Sequence, residues 1–450
     1  MSLPSYRKYK DSGVEWLGTI PTHWHVDRFK ASIISCRNGI WGSEATGDNN
    51  DIACVRVADF DRTTLAVKSE IPTIRNVSQS ERAERLLTRG NLLLEKSGGG
   101  ENQPVGQVVI YNLDIPAVCS NFVAKMELAP QMFPEYWNYV HAAAYSIRLN
   151  VGSINQTSGI QNLDQTRYFE ERAPFPPIDE QEAIAAFLDH ETSKIDALIT
   201  EQEKLLELLA EKRQATISHA VTRGLNPDVP MKDSGVEWLG VVPKHWDVIR
   251  LAQLFHEISE PGEDALPILS VSIHDGVSDG ELDEDEMERK VTRSDDRSKY
   301  KRVAPGDLVY NMMRAWQGGF GSVEVPGMVS PAYVVARPIG RNFVTGYIEQ
   351  LLRTAAGAKE AKRYSRGVTD FRLRLYWDEF KNICVPLPPK GEQVAIMHAL
   401  DDSNARIDGL ATEARTVIGL LHERRAALIS AAVTGKIDVR EHSSALVAAA

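Results

Sequence analysis

The sequence lacks the features by which disulfide-rich, zinc-binding and membrane proteins are usually recognised. Its 450 residues include only four cysteines, with no CxxC pair and no short spacing to a histidine: Cys36, Cys54, Cys119 and Cys384. This pattern favours neither a disulfide framework nor a zinc site and suits a reducing compartment. The start "MSLPSYRKYKDSG" has no apolar core of a signal peptide, and no run of about 18 apolar residues is present. We therefore expect a cytoplasmic protein without a membrane span.

Motifs of the common nucleotide-using enzymes are also missing. The nearest approach to a phosphate-binding loop, "TGKID", has Ile437 where that motif needs a hydroxyl. "NPDVP" at 226–230 lacks the second proline and the aromatic residue of an amino-methyltransferase loop. The glycine runs at 97–100 and 318–321 do not open a helix in a βαβ unit, and the acidic run at 279–290 has no spacing that defines a metal geometry. The sequence therefore predicts no catalytic residues, no metal site and no cofactor bound by this chain.

What the sequence has instead is an internal duplication. "KDSGVEWLG" at 10–18 recurs letter for letter at 232–240, which is 222 positions later (232 − 10). A second pair begins "PPIDEQEAI" at 176 and "PPKGEQVAI" at 388, an offset of 212 (388 − 176). Each half therefore has an opening motif, a divergent middle and a shared helical ending. The predicted domains are 1–175 with the opening motif 10–28, a helix at 176–224, 225–387 with the opening motif 232–250, a helix at 388–436, and a tail at 437–450.

The shared endings predict two long helices that form an antiparallel coiled coil with an internal pseudo-two-fold. Between 179 and 222 there is neither proline nor glycine, and apolar residues recur with the spacing of a coiled-coil seam. We expect Leu198 and Leu410 in the helix–helix contact. The predicted seam consists of Ile184, Leu188, Ile195, Leu198, Leu205 and Leu209 in the first helix and Ile396, Leu400, Ile407, Leu410, Val417 and Leu421 in the second.

The two middles predict mixed α/β (α+β) domains, which makes the fold class two tandem α/β domains separated by the helices. "NLLLEKSGGG" in one middle and "GDLVYNMM" in the other are β-rich runs, and helical stretches follow at 134–150 and 345–364. In the opening motifs, we expect four tryptophans either to anchor each domain to the helices or to belong to an ordinary domain core. They are Trp16, Trp24, Trp238 and Trp246.

Polar loops beside basic clusters point to nucleic-acid recognition, although the net charge of −11 argues mildly against it. Arginine, asparagine and glutamine side chains can pair with base edges bidentately, whereas lysine suits phosphate. Basic clusters are also common on ordinary solvated surfaces. The candidate DNA contacts are Ser97, Asn102, Gln103, Asn155 and Gln156 in the first half, and Arg314, Gln317, Lys362, Arg363, Arg366 and Arg372 in the second.

The order of these parts resembles the specificity subunit of a Type I restriction-modification system. The resemblance rests on "SGVEWLGxxPxHW" at 12–24 and 234–246, on "RGNLLLEKSGGG" and "PGDLVYNMM", and on the two PP-bounded helix starts. It implies two target recognition domains, each reading half of a split sequence in double-stranded DNA. It also implies helices that act as a ruler and dock two methyltransferase subunits. S-adenosylmethionine, and ATP with Mg²⁺, are then expected on the methyltransferase and restriction subunits.

Two other functions stay open from the residues alone. A self-sufficient DNA methyltransferase should show a readable catalytic loop, and none is present. A coiled-coil structural adaptor would explain the helices but not the two divergent globular copies.

Overall fold

The computed structural model describes residues 4–157, 159–273, 276–281, 297–367 and 373–441. Contacts divide the chain into a first unit, Met1–Gln202 with Arg415–Ala450, and a second unit, Glu203–Ala414. Two helices of more than forty residues each contribute one segment to each unit. Among the helices of the described residues, none has an apolar stretch long enough to cross a membrane.

Among its described residues, the first unit contains seventeen strands and three short helices, and the first long helix begins in it. The strands are β1 (Tyr9–Asp11), β2 (Thr19–Pro21), β3 (His25–Arg28), β4 (Ile33–Asn38), β5 (Ser43–Glu44), β6 (Asp51–Val55), β7 (Phe60–Asp61), β8 (Ala66–Val67), β9 (Ile74–Asn76), β10 (Asn91–Glu95), β11 (Ser97–Gly98), β12 (Val108–Tyr111), β13 (Ala117–Cys119), β14 (Val123–Leu128), β15 (Ile154–Thr157), β16 (Ile160–Leu163) and β17 (Arg172–Phe175). The helices are α1 (Gln79–Arg82), α2 (Pro134–Ser146), α3 (Gln165–Phe169) and α4 (Ile178–Arg223).

The second unit repeats this plan, with twelve strands among its described residues. Its strands are β18 (Met231–Asp233), β19 (Val241–Pro243), β20 (Asp247–Arg250), β21 (Phe255–Ile258), β22 (Leu269–Ser272), β23 (Gly276–Glu281), β24 (Lys301–Val303), β25 (Leu308–Asn311), β26 (Phe320–Ser322), β27 (Gly327–Val329), β28 (Tyr333–Pro338) and β29 (Cys384–Leu387). Its helices are α5 (Thr345–Arg353), α6 (Ala355–Tyr364), α7 (Trp377–Phe380) and α8 (Lys390–Val433).

The same central sheet lies in both units. The strand order β4-β14-β10-β12 in the first unit corresponds to β21-β28-β25-β26 in the second, and these neighbours pair antiparallel. Strand β10 is buried on both faces: Leu92 and Leu94 belong to one core and Leu93 to another. Covering both faces explains why this strand is a continuous apolar run rather than an alternating one. The predicted mixed α/β class and its duplication are confirmed.

A repeated turn leads into each central strand. Asn91 Oδ1 accepts the Thr88 N–H at 2.9 Å, and Asp307 Oδ2 accepts the Ala304 N–H at 2.9 Å. Gly90, with φ of 90°, precedes the first of these acceptors, in a backbone region that glycine adopts without steric cost. The correspondence between "RGNLLL" and "PGDLVY" is therefore structural.

The long helices run antiparallel within each unit. In the second unit, Leu209 of α4 packs with Ile407 and Ala411 of α8, whereas Val221, further along α4, shares a core with Leu400. In the first unit, Arg425 of α8 pairs with Asp196 of α4, while residues at the end of α8 pack with those at the start of α4. The antiparallel pairing predicted from the repeat is confirmed.

The predicted seam is wrong at four positions. Leu198, Leu205, Leu410 and Val417 are 52%, 39%, 48% and 40% exposed, and Leu421 is half-buried. The remaining seven predicted seam residues are buried.

The error has a physical cause, since the buried stripe includes polar residues that an apolar pattern skips. Thr192 is 4% exposed because its hydroxyl donates to the Leu188 carbonyl at 2.7 Å. From Thr192 the stripe continues through Ile195 and Ile199 with steps of three and four, which turns Leu198 outward.

Candidate nucleic-acid interface

The opening motif of the first unit is tied to the start of α4 by a buried carboxylate. Glu180 is 4% exposed and accepts the Trp24 indole N–H at 2.9 Å and the Tyr6 hydroxyl at 3.0 Å. His23 Nε2 lies 2.5 Å from its other oxygen. Burial, with the Glu180 charge next in importance, raises the pKa of the Tyr6 hydroxyl, which therefore stays a donor. This arrangement supports anchoring to the helix for Trp24.

The second unit repeats part of this anchor. His245 Nε2 lies 2.7 Å from Oε2 of Glu392, the acid in the first turn of α8. Trp246 is fully buried in the core, and among the described residues its indole nitrogen has no hydrogen-bond partner. His23 and His245 therefore both contact a helix-start glutamate.

A glutamine next to each of these glutamates also joins domain and helix. Gln181 Oε1 accepts the Phe133 N–H at 2.9 Å, and Gln393 Oε1 accepts the Val344 N–H at 2.8 Å. Trp16, by contrast, donates to the Arg172 carbonyl of its own domain at 3.0 Å. The domain-core alternative thus describes Trp16, while the anchor is built from Trp24 and the Glu-Gln pair.

In the first unit, two loops that the sequence suggested separately come together in one small sheet, in the order β11-β16-β15. Ser97 lies opposite Asn162, and Asn155 lies opposite the same residue on the other side. The Ser97 hydroxyl donates to Asn162 Oδ1 at 2.6 Å. Because facing residues point to the same side, Ser97, Asn155 and Asn162 share one face, and Gln156 lies on the other with Gln161.

Asn162 was missed by the sequence reasoning, although its loop was noticed. Alternation along β16 puts Gln161 and Asn162 on opposite faces, but only the strand pairing shows that Asn162 shares the face of Asn155. Gln161 is 8% exposed and accepts the Val105 N–H at 3.2 Å. This bond holds the loop between β11 and β12, residues 99–107, against the small sheet. Within that loop, Asn102 and Gln103 are exposed.

In the second unit, the predicted residues gather around a short 3-10 turn at 315–317. Lys362 Nζ of α6 lies 5.4 Å from the centre of the Trp316 ring. The Leu375 N–H donates to the Met312 carbonyl at 2.9 Å, which brings the segment after α6 beside the same turn. Gln317 is exposed and Arg314 half-buried. The structure therefore joins the 314–317 loop and the C-terminal end of α6 into one surface.

The arginines of this surface already have acidic neighbours. Arg363 donates two hydrogen bonds to Glu360, at 2.7 and 2.6 Å, and this contact raises its pKa. Arg366 pairs with Glu379, yet its side chain stays 74% exposed. Arg372 lies outside the described residues.

The strongly shifted titratable side chains that could act as nucleophile or base lie in domain cores rather than on these surfaces. Burial raises the pKa of Cys119 to about 12 and lowers that of His141 to about 3. His141 stacks on Phe29 with ring centres 4.6 Å apart. In the described parts of the chain, no group of three metal-ligating side chains comes together. The exposed surfaces thus offer hydrogen-bonding and cationic groups, which suit recognition.

The fold and these surfaces define the class of protein: a tandem protein with two α/β domains that carry different polar surfaces, together with two long helices that both units share. No protein-family model matches the chain. The specificity subunit of the Type I restriction enzyme EcoBI from Escherichia coli is 22% identical over 72% of this chain and 70% of its own. The corresponding MjaVIII subunit from Methanocaldococcus jannaschii is 22% identical over 72% and 75%.

Solved structures show the same fold. The HsdS subunit from Thermoanaerobacter tengcongensis matches with a TM-score of 0.50 and 15% identity, over 93% of this chain and 98% of that one. A structure describing complex assembly and conformational transition of the type I R-M system matches with a TM-score of 0.59 and 15% identity, over 92% and 98%. The homologues of this chain are specificity subunits of Type I restriction enzymes, and its structural neighbours are HsdS structures.

Proposed function

We propose that this chain is the non-catalytic, sequence-specific DNA-binding subunit of a Type I restriction-modification complex. Each α/β domain reads one half of a bipartite target, and the helices set the spacing and dock two modification subunits, which restriction subunits join. The observation that carries this proposal is the pairing of one repeated sheet with two unlike polar surfaces. A duplicated scaffold with divergent exposed side chains suits two different half-sites.

In the first unit, the readers are the amides around the small sheet and its loop. Asparagine and glutamine can bond to adenine bidentately, and such a contact discriminates against the wrong base by about 1–3 kcal/mol. Asn155, Gln156, Asn102 and Gln103 are exposed. Asn162, exposed beside Ser97, joins this set.

In the second unit, the readers are Arg314, Gln317 and Arg366, with Arg372 carried over from the sequence. When Arg366 bonds to a base, its ion pair with Glu379 must break, or the guanidinium must use N–H donors that Glu379 does not occupy. Lys362 and Arg363, at the end of α6, are assigned to phosphate contacts, which position the duplex without reading it.

The outward leucines of the helices support docking of one kind of partner twice. Leu198, Leu205 and Leu208 on α4 are exposed, and so are Leu410, Val417 and Leu420 on α8. The two sets have the same spacing and are related by the repeat offset of 212 (410 − 198). Steps of seven and three residues place each set on one face of its helix, and exposed apolar side chains gathered on one face suit an interaction site. Their repetition fits two copies of a modification subunit.

Methylome sequencing of cells with and without this chain tests the proposal. A bipartite adenine motif should disappear when the chain is absent. Gln103→Ala should relax one half of the motif and Arg366→Ala the other, while co-purification with the modification subunit is unchanged. Arg89→Ala is the control, since Arg89 pairs with Asp114 outside both proposed surfaces. If Gln103→Ala and Arg366→Ala altered the same half, the two-reader proposal would fail. An unchanged methylome without the chain would leave the structural adaptor as the better reading.

A further inference from the structure

A cleft of about 430 Å³ in the first unit lies between the recognition domain and α8. Its polar lining includes Arg62, Asn102, Gln103, Arg148, His422 and Arg425. Among the described residues that line it, none is acidic. A concave site with three guanidinium groups and no carboxylate in its wall favours an anionic ligand.

Two of the three arginines are held in place by carboxylates behind the wall. Arg62 Nη2 donates at 3.0 Å to Glu95, whose side chain is 1% exposed, and Arg425 Nε donates at 3.0 Å to Asp196. Within the described residues, Arg62 Nη1 is buried without a hydrogen-bond partner. Each of these arginines thus keeps donors that its carboxylate does not use.

The backbone around this cleft is strained. Leu65 and Arg148, both in its wall, have φ of 59° and 60°. Among the described residues that are not glycine, only Gln131 shares a positive φ. Such conformations persist where the surrounding structure holds them, often at ligand sites. Arg148, unlike Arg62 and Arg425, forms no ion pair with any described residue, which leaves its charge for a ligand.

A comparable cleft in the second unit differs in charge. It is about 1300 Å³ and contains Arg213, which occupies the repeat position of Arg425 (425 − 213 = 212). Its wall mixes three carboxylates, of Glu324, Glu349 and Asp401, with further cations at Arg341, Arg353 and Lys390. The cleft of the first unit has no carboxylate in its wall, whereas cations and carboxylates are mixed in the second, so the inference applies to the first unit alone.

We propose that the cleft of the first unit binds a phosphate group, with Arg148 and Arg425 as the principal contacts. The phosphate is either part of a DNA backbone whose bases face the Asn102–Gln103 loop or part of a free phosphate compound. Only the first source rests on the proposed function.

The test uses the full chain and its Arg148→Gly variant. Glycine removes the charge and adopts a φ near 60° without strain, so this variant should unfold at the same temperature as the wild type or higher. Arg148→Asn serves as a second uncharged variant, since asparagine also tolerates this region. Arg148→Lys keeps the charge, and Arg89→Ala is the control for loss of a surface cation.

Two measurements separate the sources. With a mixed-sequence duplex, the slope of log K against log salt should become shallower by about 0.9 for one lost phosphate contact in Arg148→Gly, but not in Arg89→Ala or Arg148→Lys. With pyrophosphate and no DNA, the melting temperature of the wild type should rise with the logarithm of the pyrophosphate concentration, and this rise should disappear in Arg148→Gly.

A changed salt slope, with or without the pyrophosphate effect, supports the DNA backbone as the source. A pyrophosphate effect with an unchanged salt slope keeps the phosphate site and overturns the DNA source. If both uncharged variants fold and match the wild type in both measurements, the proposal is wrong. Sequence discrimination does not enter either measurement, so failure of the proposed function would be detected separately.

Discussion

Two neighbouring residues on α4 should differ strongly in how much stability the protein loses when each is replaced by alanine. Ile199 is 5% exposed, whereas Leu198 is 52% exposed. Replacing Ile199 by Ala removes buried methyl and methylene groups and leaves a cavity in the helix contact. Large-to-small changes of this kind cost about 2–5 kcal/mol, and we expect about 3 kcal/mol here because Ile199 is almost fully buried. Leu198→Ala should change the free energy of unfolding by no more than about 0.5 kcal/mol.

Urea unfolding followed by far-ultraviolet circular dichroism measures this difference. The two variants differ by one position on the same helix and remove similar apolar volume, so each is the control for the other. Co-purification with the modification subunit supplies the second readout. Leu198→Asp should weaken it while leaving the unfolding midpoint close to that of the wild type. Equal destabilisation by Leu198→Ala and Ile199→Ala would refute the corrected seam, and unchanged co-purification of Leu198→Asp would refute docking at this position.

Three further outcomes are expected. Burial lowers the pKa of His141 from 6.5 to about 3, so between these pH values the unfolded state takes up this proton and the folded state does not. Across this window, stability should fall with decreasing pH by at most about 1.4 kcal/mol per pH unit, and urea titrations of His141→Gln should show a shallower fall. Glu180→Gln should lower the free energy of unfolding by about 2–3 kcal/mol, because the buried Tyr6 and Trp24 donors and His23 all contact this carboxylate. Glu392→Gln should cost less than about 1 kcal/mol, since His245 is the contact it loses. Equal shifts in melting temperature for the two variants would contradict this. Asn162→Ala should relax the same half of the DNA target as Gln103→Ala, as measured by competition binding with half-site mutants. An effect on the other half would show that Asn162 does not act with the amides of the first unit.

The candidate site could be predicted as regions but not as a geometry. The sequence indicated the loops that contain Ser97 and Asn155 because both are polar and lack a core pattern. It could not show that these residues face the same partner, Asn162, since that contact depends on strand register. In the second unit, the spacing of three residues on one helix already places Glu360 beside Arg363. The pair between Arg366 and Glu379 could not be predicted, because these residues belong to different segments that only folding brings together.

The sequence by itself determined the duplication, the mixed α/β class and the two antiparallel helices. Repeated letters and apolar periodicity carry that information locally, and a repeat requires each copy to bury the same faces. Only the tertiary structure decided which leucines of the helices face inward. Thr192 is buried beside Tyr139 of the domain, whose hydroxyl lies 3.3 Å from its own, while the bond to the Leu188 carbonyl satisfies the threonine within the helix. The partner of Trp24 was likewise decided by folding. Glu180 lies 156 positions away along the chain, and only the packed domain brings its carboxylate within 2.9 Å of the indole.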